Sequence, residues 1–304
     1  MATLYPKHQA SAGGRGLSQS LWRGFPLDEI FGGPAKIGAG IGIFEDFDSF
    51  GSAVDAATTT IRFGPQGARI YVDTATTVST CNQLPYSSTL TSSGAHGVLR
   101  MACGATDKHQ VAIQWCGVAG APFAMDDTTP SATADAARDL AFEVRLRFGQ
   151  VADNANGLFV GLAEEAMTGD DALMTDDTGV LVTTVDLLGF NILQADGNAT
   201  NWVHQVTSGG LVTTKAGIHV PVADTWYKYG FRYSALKKTI TPFINGVENS
   251  NVVTSTATAA ATFPDAVGMA PIIAVKTGGN TALVLDIDWI CCAQPEATGG
   301  VGNF

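Results

Sequence analysis

The chain has 304 residues, with 35 glycines, only 17 lysines and arginines together, and a formal charge of −11. That balance excludes nucleic acid as a main partner, because phosphate binding needs a concentrated basic surface. No run approaches the roughly eighteen apolar residues of a membrane-spanning helix, and MATLYPKHQASAGGRG at the start lacks the apolar stretch of a secretory signal.

Residues 1–43 come first and read as an arm. They hold nine glycines and sustain neither a period of two nor one of 3.6, so they should not form a core of their own. Yet Leu21, Trp22, Phe25, Leu27, Ile30 and Phe31 fall within eleven positions. These six are the candidate partner-binding residues, expected to be buried against other chains or against the body. Arg15, Arg23 and Lys36 would add contacts to an acidic surface.

From Phe44 the chain reads as β. Val98–Cys103 is one predicted strand, and His109 to Trp115 is the next. Phe142, Val144, Leu146 and Phe148 alternate with Glu143, Arg145 and Arg147, which predicts a strand with the first set inward and the second exposed. A short, Ala-rich helix is predicted over Ser131–Asp139. Gly157–Leu162 is an apolar run of core-strand type, and Leu187–Leu193 and Trp202–Val206 are two further strands. Tyr227, Tyr229, Phe231 and Tyr233 alternate with Trp226, Lys228, Gly230 and Arg232, and a second strand, Ile240–Ile244, follows. Asn245-Gly246 supplies the positive φ that a tight hairpin turn needs. Pro242 cannot donate to a ladder, which predicts an edge or a bulge. After Ile272–Val275 comes the last strand, where Leu283, Leu285, Ile287 and Trp289 alternate with Val284, Asp286 and Asp288. Many short strands with Gly, Asn and Asp turns mean a two-sheet sandwich or a barrel.

Candidate chemistry is sparse. Cys81, Cys103, Cys116, Cys291 and Cys292 are odd in number and hold no C-x-x-C pair, which suits reduced thiols formed in a cytoplasm rather than zinc. His8, His96, His109, His204 and His219 have no metal-ligand spacing. Asp126 to Asp186 holds thirteen acidic residues against three arginines, a net of −10. Within it Asp170, Asp171, Asp176 and Asp177 are close enough to suggest calcium, but Leu173 and Met174 interrupt them and no EF-hand pattern is present. Solvated loop acids are the expectation. Asp286 and Asp288 share a strand face without glutamates beside them, so they are expected to be a solvated polar face rather than the close carboxyl pair of a retaining glycosidase. Trp202 and Trp226 would suit sugar stacking, but aromatics at strand spacing usually belong to a core. The chain is therefore expected to have no catalytic residue, no metal and no cofactor.

The order of features then carries a resemblance. Phe44-Glu-Asp-Phe47 opens the body, AFEVRLRF is followed by GLFVGLAEE, and the acidic DDALMTDDTG comes next. The W-Y-K-Y-G-F-R hairpin with its F-I-N-G turn and a final LDIDWI strand complete it. Over roughly residues 44–295 this resembles the concanavalin A-like (laminin G-like) jelly roll found in structural proteins of tailed-bacteriophage virions. The resemblance implies an all-β, two-sheet antiparallel jelly-roll sandwich (44–295) with an extended N-terminal anchoring arm (1–43) and a C-terminal tail (296–304). It implies a non-enzymatic capsid decoration or cement protein on the virion surface, assembled in the host bacterial cytoplasm. The arm would dock on the major capsid protein and on neighbouring copies in a homo-oligomer, for which a trimer fits. The alternatives are a carbohydrate-binding module on a phage fibre or tail, recognising a surface glycan, and, third, a polysaccharide-degrading enzyme.

Overall fold

Alternation of period two gives nearly every segment of this chain one face to bury, and two sheets bury those faces against each other. The computed structural model describes residues 16–31, 40–47, 59–61, 68–72, 79–84, 97–105, 109–116, 121–125, 138–149, 156–169, 171–175, 180–193, 199–206, 210–250, 252–264, 267–277 and 282–295. The described strands of the first sheet are β1 (Gly40–Glu45), β4 (Thr80–Leu84), β5 (Val98–Cys103), β7 (Leu140–Phe148), β12 (Trp226–Ser234), β13 (Thr239–Ile244), β14 (Val247–Glu248) and β16 (Leu283–Pro295). Those of the second are β2 (Thr59–Ile61), β3 (Ala68–Val72), β6 (Gln110–Trp115), β8 (Asn156–Ala163), β9 (Leu187–Leu193), β10 (Thr200–Val206), β11 (Gly210–His219) and β15 (Ala270–Thr277). Two short helices, α1 (Leu27–Phe31) and α2 (Ser255–Thr258), complete the set.

The first sheet runs β14-β13-β12-β7-β16-β5-β4, with β1 also on β16, and the second runs β11-β10-β9-β8-β15-β6-β3-β2. All pairings between these strands are antiparallel. The all-β two-sheet jelly-roll sandwich is thus the fold. Its core lies between the sheets, where Phe142, Val144, Leu146, Phe148, Tyr229 and Phe231 meet Val160, Phe190, Trp202, Ile273 and Val275. Phe142 stacks on Phe231 at 5.2 Å between centroids. Trp202 is fully buried among them, as a core residue rather than a sugar platform.

Asn245 (φ 53°) and Gly246 (φ 75°) make the hairpin turn. Pro242 lies on β13, whose outer neighbour, β14, has only two residues. Strands β3 and β11, and β1 across the expected boundary at residue 43, were not read from the sequence. The helix expected over Ser131–Asp139 falls mostly outside the described residues, as do His8, His96, Asp170, Asp176, Asp177, Arg15, Lys36 and the tail 296–304.

Two expectations are corrected. Glu143 and Arg145 are buried at 1% and 6% exposure, and Arg147 is half-buried, because the outer face of the first sheet is itself covered. The last strand does not keep one alternation to its end. Ile287 pairs with Leu146 and Trp289 with Arg145, so Asp288 is an extra residue at a β-bulge. Beyond the bulge Ile290 and Cys292 join the core, whereas Trp289, Cys291 and Ala293 belong to the cluster on the outside of the sheet.

Candidate functional site: the outer faces of the two sheets

Strand registers place the outward side chains of the first sheet in rows. One row holds Trp226, Arg147, Asp286 and Arg100. The next holds Lys228 and Arg145 beside the Asp288–Trp289 bulge. A third holds Gly230, Glu143, Cys291 and Phe44, and a fourth Arg232, Ala141, Ala293 and Gly42. Most of the charge therefore sits at one end of the face, and small residues gather at the other around Glu143 and Arg232.

The charged end is closed on itself. Asp286 accepts from Arg100 Nε at 2.7 Å and from Arg147 Nη2 at 2.5 Å, and Asp288 accepts from Arg145 Nη1 at 2.5 Å. Both aspartates are buried, at 0% and 1%, which overturns the expected solvated face. The reason is the outward arginines of β5 and β7, whose guanidiniums cover the carboxylates. The hydrogen bond to Asp286 holds the Arg100 pKa above its ordinary value. Arg145 and Arg147 also stack over the Trp226 ring, at 4.5 and 5.5 Å from its centroid. Carboxylates held this way are acceptors already spent, not a free acid and nucleophile.

The small-residue end is the seat of the arm. Ser18 N and Trp22 Nε1 both donate to Glu143 Oε2, at 3.0 and 2.7 Å. Lys228 Nζ donates to Gly16 O at 2.8 Å, and Arg232 Nη1 to Arg23 O at 2.8 Å. Arg232 also lies over the Phe25 ring at 4.9 Å. Leu21 fills space that exists because residue 230 has no side chain: a Cβ there would stand 2.4 Å from Leu21 Cδ1. Gly42 does the same for Ile30 and Phe31, each 2.5 Å from such a Cβ. Leu21 (0%) and Trp22 (5%) are buried on Ala141, Phe243, Trp289, Cys291 and Ala293. Phe25, Leu27, Ile30 and Phe31 pack on the same cluster but stay half-buried. All six candidate partner-binding residues thus lie on one docked segment, held by the chain's own sheet. Burial raises the Glu143 pKa, against the lowering effect of its Ser18 and Trp22 hydrogen bonds. Burial also lowers that of Lys228, which Glu143 opposes.

The second sheet's outer face is covered by residues 164–169, 171–175 and 180–186. Leu173, Met174, Leu181 and Val185 pack on Tyr71, Ala112, Phe159, Val203, Ile272 and Ala274. Asp171, one of the acids considered for calcium, instead receives Lys276 Nζ. Among the described residues no group of three or more His, Cys, Asp or Glu is arranged to hold a metal. Burial raises the thiol pKa values of Cys81, Cys116, Cys291 and Cys292, which keeps them from acting as thiolates.

His204 is buried at 1% against Phe263, with 5.3 Å between ring centroids. Burial lowers its pKa to about 4. A histidine depressed in the folded state contributes stability that is full above its unfolded pKa of about 6.5 and is lost as pH falls through the folded value. His219, whose pKa burial also lowers, acts with the same sign. The urea midpoint is therefore expected to fall between pH 7 and pH 4.5, and His204→Phe should flatten that fall. An unchanged slope in His204→Phe would show that His204 is not the group responsible.

No protein family's sequence profile matches this chain, and no curated protein matches it. Solved structures do. Winged bean acidic lectin aligns with a TM-score of 0.50 at 11% identity, over 84% of this chain and 99% of the lectin. An endo-1,3-beta-glucanase from Streptomyces sioyaensis aligns at 0.48 and 15%, over 86% and 99%. A Shewanella oneidensis MR-1 protein of unknown function aligns at 0.44 and 15%, over 86% and 90%. At these identities the likeness is one of fold alone, the two-sheet jelly-roll sandwich, and one such architecture serves many functions.

Proposed function

We propose that this chain is a non-enzymatic structural protein of a virion, of the capsid decoration type, that docks on the major capsid shell and on neighbouring copies through its arm. The observation that carries this reading is the two-sided arm. Leu21 and Trp22 face inward and fix it to the sandwich, while Phe25, Leu27, Ile30 and Phe31 remain half-buried beside one another. A half-covered aromatic and aliphatic cluster on a rigid base is what a protein partner completes. The ion-paired Asp286 and Asp288 support the non-enzymatic part. The test is co-sedimentation with particles assembled without the protein. Leu27→Asp, at a half-buried position, should cut occupancy at least tenfold, with hydrogen exchange over residues 16–31 measured alongside to show that the arm keeps its seat. Full occupancy by that variant would place the docking surface elsewhere.

A carbohydrate-binding role has one observation in its favour. The sandwich shares its fold with winged bean acidic lectin at a TM-score of 0.50. Saturable binding of a defined saccharide on a glycan array would favour this reading over the first.

A further inference from the structure

Lys276 is the least expected cation in the molecule. It stands on β15 with no exposed surface, facing outward from the second sheet beneath the covering segment that includes residues 164–169 and 171–175. Its amine contacts the Asp171 carboxylate of that segment. Asp171 itself is 43% exposed and sits at φ 51°, a left-handed conformation that aspartate adopts more readily than most side chains. Gln110 lies directly across the β6–β15 pair from Lys276. Its Nε2 donates to Gly169 O at 3.0 Å, which ties the start of the covering segment to the same spot. Its Oε1 and the neighbouring Thr168 Oγ1, both fully buried, have no partner among the described residues.

A buried ammonium against one half-exposed carboxylate is a costly arrangement, since desolvation of the cation is offset by a single partner. A neutral amide at the same place carries no such cost and leaves an N–H to donate. We propose that Lys276 and Asp171 condense into an intramolecular isopeptide bond that staples the covering segment to the second sheet.

The atoms balance without any co-reactant. The ammonium passes one proton to the carboxylate, giving an amine and a carboxylic acid. The Nζ lone pair then attacks Asp171 Cγ, and a C–N bond forms. The Cγ–OH bond breaks, the hydroxyl leaves with a second amine proton as one water, and one N–H remains. No oxidation state changes. The exposed side of Asp171 gives the water its exit. The covalent ring so closed joins positions 105 residues apart, which constrains the unfolded chain as a disulfide does, but in a form that reductant does not open.

The test uses the full chain, denatured, digested with trypsin and read by mass spectrometry. The expected result is one branched species, lighter by a water than its two component peptides and joined at Asp171 and Lys276, with no cleavage after Lys276. Lys276→Arg keeps the positive charge and the ion pair but cannot form the bond under these conditions. It should yield separate peptides and a lower melting temperature. Two unlinked peptides from the wild-type chain, with normal cleavage after Lys276, would overturn the proposal and leave an ordinary buried ion pair. That readout does not require any variant to fold.

Discussion

Asp286→Ala is expected to destabilise the chain by about 3–5 kcal/mol, because it leaves the Arg100 and Arg147 guanidiniums without the buried carboxylate that both of them share. Asp288→Ala should act in the same direction through Arg145, which is only 6% exposed. The two sites sit in adjacent rows of one face, so their effects should couple rather than add. Asp286→Asn is the milder variant: it keeps the size and an acceptor oxygen but loses the charge, so most of the cost should remain. Urea unfolding monitored by tryptophan fluorescence reads the loss. A change within about 1 kcal/mol, the range of an exposed pair, would mean that these carboxylates are solvated after all.

The second large effect concerns the arm. Trp22→Ala removes a 5%-exposed indole and one of the two hydrogen bonds on Glu143 Oε2. Truncating a buried Trp costs about 3–5 kcal/mol, and the carboxylate left with fewer donors adds to it. Gly230→Val attacks the same contact from the sheet side, since its Cβ would collide with Leu21 Cδ1 and stand 2.8 Å from Phe142 O. Both variants should lower the melting temperature of the whole protein and raise hydrogen exchange over residues 16–31. Exchange there that matches wild type in both variants would show that the arm does not depend on this seat. Residues 16–31 are thus expected to behave as part of the folded unit.

Much of this was legible in the residues. The strand from Phe142 to Phe148 and the hairpin through Asn245-Gly246 were plain, because a buried face in a pleated strand needs only a period of two and a turn with positive φ. The six apolar residues of the arm stood out because a glycine-rich segment cannot cover them alone. What the residues did not show was that the first sheet's other face is buried too. Polar residues at alternate positions normally mean solvent. Here Glu143, Arg145, Asp286 and Asp288 are polar because they meet one another and the arm, from positions more than a hundred residues apart, and no local pattern encodes that pairing. The signal that was available is Gly230, a small residue in the middle of an aromatic strand, which marks a close approach. The bulge at Asp288 was equally hidden, since an inserted residue changes the faces of Trp289 and Cys291 without changing composition. Lys276 and Gln110 were silent for the same reason: their partnership exists only through the strand register.

The measurement that bears most directly on the proposed structural role is a cryo-EM reconstruction of particles that carry this chain. The expected result is the sandwich seated on the capsid surface, with Phe25, Leu27, Ile30 and Phe31 covered by the shell or by a neighbouring copy. A reconstruction that leaves these four facing solvent, with the contact made by the second sheet's outer face or by a bound saccharide, would contradict it.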